Sequence, residues 1–452
     1  MRFSLFRALS FCISLTALAS GCADESTSQE TLLHPVPSQI QEIKETPAVN
    51  SISEEIPITP ISTDVRQPKG SGTISYEKAI THLSQEQAKI LLDYMDLYYE
   101  SLSCLEAGEP ASLFAKEAMD QALSNKSAWK IIIDVRKMQG PKLSLSAYSY
   151  TLHCTDVLTE DNGDISVSAQ EKSVQTFTAF PGVKSESHNV RHRFTLTQTS
   201  GGWRLRSHTQ MDSASMMALG RSIYRGWRGG SESETEIDLA EQLATQRESV
   251  LKAHADNLSV RNRQRASYIP DADIPYKWTN DYNREASVAY AMKWVGARNT
   301  KNWPTYDRNG GNCANFVSQC LLAGGIPMDS TGSSQWKWYG STPNTSQTAS
   351  GRSGSWSSVG EFYSYANKNS GFGMVAEPDA NYWSGKPGDL IQLGYEDNWR
   401  HVVIITRVVK DGNGNTVDYL INSNTADQRN YPVSAYLYPQ HRLIRIYGWN
   451  DA

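Results

Sequence analysis

Gly310-Gly311-Asn312-Cys313-Ala314-Asn315-Phe316-Val317-Ser318-Gln319-Cys320-Leu321-Leu322-Ala323-Gly324-Gly325 is a glycine turn that runs directly into a short helix with apolar residues at helical spacing. This reading places Cys313 at the helix start. The first N–H groups of a helix have no partner inside it and the macrodipole is positive there, so a thiolate is stabilised and the thiol pKa is expected to fall. A cysteine so placed is a candidate nucleophile.

Downstream, Asp389 to Leu393 and Arg400 to Thr406 read as adjacent strands joined by a turn. In the second, His401, Val403 and Ile405 alternate with Val402, Ile404 and Thr406, so both faces are apolar and the strand is expected to be central, with His401 at its rim. Val417 to Asn424 reads as a third strand and Arg442 to Trp449 as a last one. Nucleophilic cysteine catalysis needs a thiolate, an imidazole to hold and return the proton, and a polar group that fixes the imidazole. Cys313, His401 and Asn424 can fill those roles, and Asn422 competes with Asn424 because period two puts both on one face. The N–H of Cys313 is the expected oxyanion donor, with Asn312, Tyr306 and Gln319 as further candidates. Trp399, Trp338 and Trp356 are candidates to line a substrate groove, and Trp399 lies two residues before His401. Only His401 and His441 are available as histidine ligands in this half, without a ligand-spaced pair, so neither a metal nor a cofactor is expected. His188, His192 and His208 sit in strand-like sequence further upstream and read as sheet or surface positions.

The order of a cysteine at a helix start, then a histidine and a polar residue on successive strands, is that of papain-like enzymes. The run from Gly310 to Gly325, preceded by Tyr282-Asn283-Arg284 and Tyr290-Ala291, resembles the bacterial putative amidase domain family, allied to cell-wall amidases and peptidases. The resemblance covers about 276–450 and includes Trp336, Trp338, Tyr339, Ser355, Trp356, Gly388, Asp389 and His401. Two positions depart from its pattern: Asn312 stands where Asp is usual, and Asn424 where His is usual. The resemblance implies an α+β fold, in which the cysteine helix packs on an antiparallel sheet, and amide hydrolysis through a thioester.

Working outward to the N-terminus, residues 1–21 carry a short basic start and an apolar run, which reads as a secretory signal. The run ends in Leu18-Ala19-Ser20-Gly21-Cys22, which resembles a lipobox with Cys22 as the lipidated residue. Residues 22–74 are rich in Ser, Thr, Glu, Gln and Pro and read as a flexible tether. Residues 75–215 open with a capping box at Ser84 and Gln87, followed by four strand-like runs. Helix then curved sheet resembles cystatin-like and nuclear-transport-factor-2-like folds. Residues 216–275 read as a helical linker and 276–452 as the amidase-like domain. Cys313 and Cys320 lie seven positions apart on one helix, about 10.5 Å at ~1.5 Å per residue, too far for a disulfide. Cys104 and Cys154 remain able to pair in an oxidising compartment.

At 452 residues, with 39% hydrophobic and 20% charged residues, the chain suits two or three globular domains. A net charge of -5 without a dense Lys/Arg run excludes nucleic acid as an expected partner. The expectation is an exported hydrolase, anchored to the membrane through Cys22, that cleaves amide bonds in peptidoglycan stem peptides or other peptides. The alternative is a non-catalytic surface module that binds wall polymer or protein, which has no reason to keep both Cys313 and His401. The sequence carries no signal for an oligomeric state.

Overall fold

Strand β1 (Lys69–Tyr76), which follows a two-residue strand at Ile56–Pro57, pairs in parallel with β2 (Leu145–Thr159) in the computed structural model, which describes residues 56–57, 69–220, 238–269, 274–307, 311–338, 352–396 and 398–451. The signal segment, Cys22 and most of the tether lie outside these residues. Among the described residues no helix is long and apolar enough to cross a membrane. The sequence reading carries the tether through Gly72, but residues 69–72 belong to β1, a correction with a steric cause. A Cβ on Gly70 would fall 1.7 Å from the Tyr148 ring, and one on Gly72 2.2 Å from the Tyr150 ring. Both rings stack on Tyr99, with centroids 4.9 and 5.2 Å away. The glycines therefore act as strand residues shaped to admit aromatic rings, not as spacers.

Helix α1 (Gln85–Cys104) starts at the expected box: Ser84 N–H donates to Gln87 Oε1 at 2.8 Å and Gln87 N–H to Ser84 Oγ at 3.2 Å. Helix α2 (Met119–Met138) had no counterpart in the sequence reading. Its buried side includes Gln121, Ser124, Asn125 and Arg136 among apolar residues, so no clean stripe marks it. Strands β3 (Ile165–Phe177), β4 (Ser185–Thr199) and β5 (Gly202–Gln210) continue an antiparallel meander from β2. A short helix α3 (Ser213–Leu219) and the long α4 (Leu239–Ala266) follow, and α4 packs on α2 and α3.

The C-terminal half adds α5 (Arg284–Trp294), α6 (Cys313–Ala323), α7 (Gly354–Ser357), α8 (Val359–Lys368) and six longer strands. These are β6 (Gly373–Ala380), β7 (Leu390–Tyr395), β8 (Asn398–Lys410), β9 (Thr416–Ser423) and β10 (Asp427–Pro432), with β11 (Gln440–Asn450) closing the series. Strand β10 pairs with β4, Asp427 opposite His188, so one mostly antiparallel sheet runs β1-β2-β3-β4-β10-β9-β8-β7-β11 through both halves. The described residues accordingly form one compact unit. The protein is thus α+β, with a large mixed sheet and several helices.

Alternation along the central strands separates two cores. Val402, Ile404 and Leu390 pack with Cys313, Phe316 and Val317 under α5, α6 and α8. Val403, Ile405, Ile391 and Leu393 join the other core, which is continuous with that of the N-terminal half.

The expected Cys104–Cys154 disulfide is absent, since both thiols are free. Cys104 is exposed at the last turn of α1, its Sγ 3.2 Å from Glu100 O. Cys154 is fully buried in β2, where burial pushes its thiol up to about 11. The two side chains belong to solvent and core respectively.

Candidate active site

Cys313 is the first residue of α6, which buries nine consecutive residues, Cys313 to Leu321, between α5 and the sheet. The turn before it depends on Gly311, whose φ of +115° is outside the range of ordinary side chains. Asn312 then ties the helix start to the end of β9. Its N–H donates to Thr425 Oγ1 at 2.6 Å and its Nδ2 to Asn424 Oδ1 at 3.0 Å, while its Oδ1 accepts from Tyr306 N–H at 3.1 Å and Asn315 Nδ2 at 2.9 Å.

The residues beyond β9 are shaped for this. Thr425 and Ala426 have φ of 65° and 52°, a left-handed backbone that a β-branched residue rarely adopts and that costs on the order of 1–3 kcal/mol. Asp427 holds the turn: it accepts from Thr425 N–H at 2.8 Å, from Arg298 at 2.9 and 3.1 Å, and from Asn189 Nδ2 at 2.7 Å. Arg298 also pairs with Asp307. Thr425, Asp427 and Arg298 were not singled out in the sequence. The available signal was the polar cluster directly after Asn424; the contribution of Asn189, 238 residues away from Asp427, had none.

The thiol of Cys313 is 6% exposed and lies against the backbone N–H groups of Val402, Ala314 and Cys313 itself. Burial pushes its pKa above the ordinary thiol value, and those N–H groups only partly offset this. The thiolate expected from the helix start is thus corrected: in the resting protein, desolvation outweighs the helix terminus. Exposed Cys104 is therefore expected to react with iodoacetamide at neutral pH well before Cys313, and Cys313 to catch up as the pH rises past 9; peptide mapping of a labelling time course checks this. Faster labelling of Cys313 at neutral pH would show a standing thiolate instead.

His401 sits at the start of β8, one residue before the Val402 N–H that meets the thiol, and follows a bulge between Trp399 and His401. Its ring packs beside Tyr436 and Tyr438, with centroids 5.9 and 6.3 Å away, and its Nε2 has no hydrogen-bond partner. It stands opposite Leu393, on the face of Val403 and Ile405, whereas Cys313 packs on the face of Val402 and Ile404. The two side chains thus approach β8 from its two sides, at its rim. Burial lowers the His401 pKa to about 4, so the imidazole is neutral at pH 7.

Asn424 does not orient His401, a second correction. Its Oδ1 is taken by Asn312, and its Nδ2 donates to Trp294 O at 3.3 Å. Asn422 is likewise engaged, by Met292 Sδ at 3.1 Å and Asn430 N–H at 2.8 Å. Gln319 accepts through Oε1 from Tyr290 OH at 2.8 Å, and the Tyr306 hydroxyl oxygen accepts from Arg352 at its Nη1, bonds that occupy acceptor atoms and leave the Gln319 amide N–H and the Tyr306 O–H as the donors of each candidate. Trp338 and Trp356 are buried at 1% and 0% exposure, which removes them from any groove. Trp356 instead donates to Asn315 Oδ1 at 2.9 Å. Trp399 is half-buried with the Arg442 guanidinium 4.1 Å from its ring, and is the one groove candidate at the surface.

Replacing Asn424 by alanine strands the Nδ2 of buried Asn312 and is expected to lower stability by about 1–3 kcal/mol. The midpoint of chemical denaturation measures it, and an unchanged midpoint would show that this bond does not hold the turn.

"Uncharacterized protein YhbB" of Bacillus subtilis (strain 168) is 35% identical over 150 residues, which cover 33% of this chain and 43% of that protein. No solved structure matches the chain. The C-terminal half, residues 281–449, matches and carries the domain described as "Putative amidase domain".

Proposed function

We propose that this protein is a cysteine hydrolase of papain-like design that cleaves amide bonds, with Cys313 as nucleophile and His401 as proton carrier. The observation that supports it most is the Cys313 thiol at a helix start, met by the backbone N–H of the residue that follows a buried, neutral and partly unpartnered histidine. A neutral imidazole is the form that can accept a proton. The resting pair is thiol and imidazole, and the ion pair forms as substrate arrives. For that transfer the His401 ring has to cross the rim of β8 from the face of Val403 and Ile405 to the thiol, and the bulge between Trp399 and His401 is where the backbone has room to turn.

In the reaction the thiol proton passes to His401 while sulfur bonds to the amide carbon. The resulting oxyanion is held by backbone N–H groups at the start of α6 and at Val402. The C–N bond then breaks, with the His401 proton leaving on the amine. Water, deprotonated by His401, attacks the thioester and releases a carboxylate and the free thiol. Asn312, Asn424 and Thr425 are positioning residues that fix the start of α6.

An exported chain lipidated at Cys22 and tethered by the residues between Cys22 and the sheet would place this chemistry against cell-wall material, so peptidoglycan stem peptides are the substrate class proposed. The test is digestion of purified muropeptides by the full chain, followed by mass spectrometry. The reading expects fragment pairs whose masses sum to the parent plus one water. Identical profiles with and without protein would contradict it and favour a binding module.

A further inference from the structure

A cleft of about 380 Å³ lies between the turn 139–142, helix α4 and the short turn Tyr382–Ser384, beside β9. Its volume falls within the range of small-molecule sites. Its walls belong to the core shared with the N-terminal half, not to the one that contains Cys313.

The chemistry of the lining is cationic. Arg261, from α4, is 6% exposed, and its Nε is buried without a hydrogen-bond partner. Its guanidinium bonds to His441 Nδ1 through Nη1 at 3.1 Å, lies 5.2 Å from the Tyr382 ring and acts electrostatically on buried Asp418, while its carbonyl accepts from Trp383 Nε1 at 2.7 Å. One turn on, the Arg265 guanidinium lies 3.5 Å over the Trp383 ring. Among the described residues neither arginine has a carboxylate at ion-pair distance. Lys142 stands exposed on the same lining. The one carboxylate there, Asp418, is already engaged by Ser434 and by Tyr419 N–H, and burial raises its pKa to about 6. Within the lining, three cations therefore stand with one acid whose oxygens already accept hydrogen bonds, and Asp411, outside the lining, acts electrostatically on Arg265. A buried guanidinium edge with no acceptor is costly unless an anion completes it, and the planar fork of arginine suits a carboxylate or phosphate.

We infer that this cleft binds a small organic anion, with its carboxylate or phosphate on the Nε edge of Arg261 and its apolar part against Tyr382. The inference does not depend on the hydrolase reading. Isothermal titration of the full chain at fixed ionic strength tests it with three probes: N-acetylglycine, its neutral amide N-acetylglycinamide, and inorganic phosphate. Saturable binding of an anion but not of the amide is expected. Preference for N-acetylglycine assigns the site to carboxylic acids, and preference for phosphate assigns it to phosphate esters. Arg261→Lys keeps the charge but removes the fork and is expected to weaken binding about tenfold. Arg265→Gln, at a half-buried position that leaves the core intact, is expected to weaken it similarly. Equal binding of the amide, no saturable binding of any probe, or undiminished affinity in Arg265→Gln would overturn the inference.

Discussion

Replacing Cys313 by alanine is expected to abolish amide hydrolysis, with a loss in kcat on the order of 10⁴–10⁶-fold, as when the nucleophile of a comparable catalytic set is removed. The size follows from the chemistry. Without sulfur there is no thioester path, and the backbone N–H groups at the start of α6 are left to act on direct attack by water alone. The change deletes one atom from a site that is 6% exposed, so the fold should persist. Thermal unfolding of the variant beside wild type separates the two effects. Loss of activity with an unchanged melting profile assigns the loss to chemistry, whereas retained activity would remove Cys313 from the reaction.

Acidification is expected to destabilise the protein steeply between pH 6.5 and about 4, before most carboxylates titrate. His401 and His254 each have a pKa lowered by burial from 6.5 to about 4, and those of His208 and His441 fall in the same direction. The unfolded chain takes up a proton on each histidine near pH 6.5, while the folded chain refuses it. The histidine contribution is therefore fully present above pH 6.5 and is lost as pH falls toward the folded value, and buried Asp418, whose carboxyl is raised to about 6 and is protonated first in the folded chain, offsets about one histidine's share over the same window. For His401 and His254, about 1.4 kcal/mol per pKa unit gives on the order of 3 kcal/mol each. Against a typical total of about 5–15 kcal/mol that is a large fraction. Denaturant midpoints at pH 7 and pH 4.5 measure the slope, and His401→Asn should flatten it by about that one share. A stability that stays level across this window would show that the histidines are not buried as described.

Much of this architecture was legible in local sequence. The capping box at Ser84 and Gln87, the meander ending in Trp203, and the apolar run after Gly311 each express a periodicity or turn chemistry that needs no distant partner. Helix α2 was not legible because polar residues such as Gln121 and Arg136 lie on its buried side. Gly70 and Gly72 read as linker because the tyrosine rings that require them lie 78 positions further on, opposite them in the sheet.

The candidate site was legible as a list of residue types but not as a geometry. Spacing along β8 identified His401, yet the side to which its ring turns depends on the pairing with Leu393 and on Tyr436 and Tyr438. Chain order suggested Asn424 as the partner of His401, and only the fold shows its amide committed to Asn312 and Trp294. The raised thiol pKa escaped for the same reason. A helix start is visible in sequence, while the degree of burial around it is a property of the assembled core.

The central claim is that Cys313 attacks an amide carbon. Acid-quenched single-turnover digestion of muropeptide by the full chain, followed by peptide mapping under conditions that preserve thioesters, tests it most directly. An acyl adduct is expected on the peptide that contains Cys313, appearing before product and absent from Cys313→Ala. Product formation without any adduct, at an equal rate in Cys313→Ala, would contradict it.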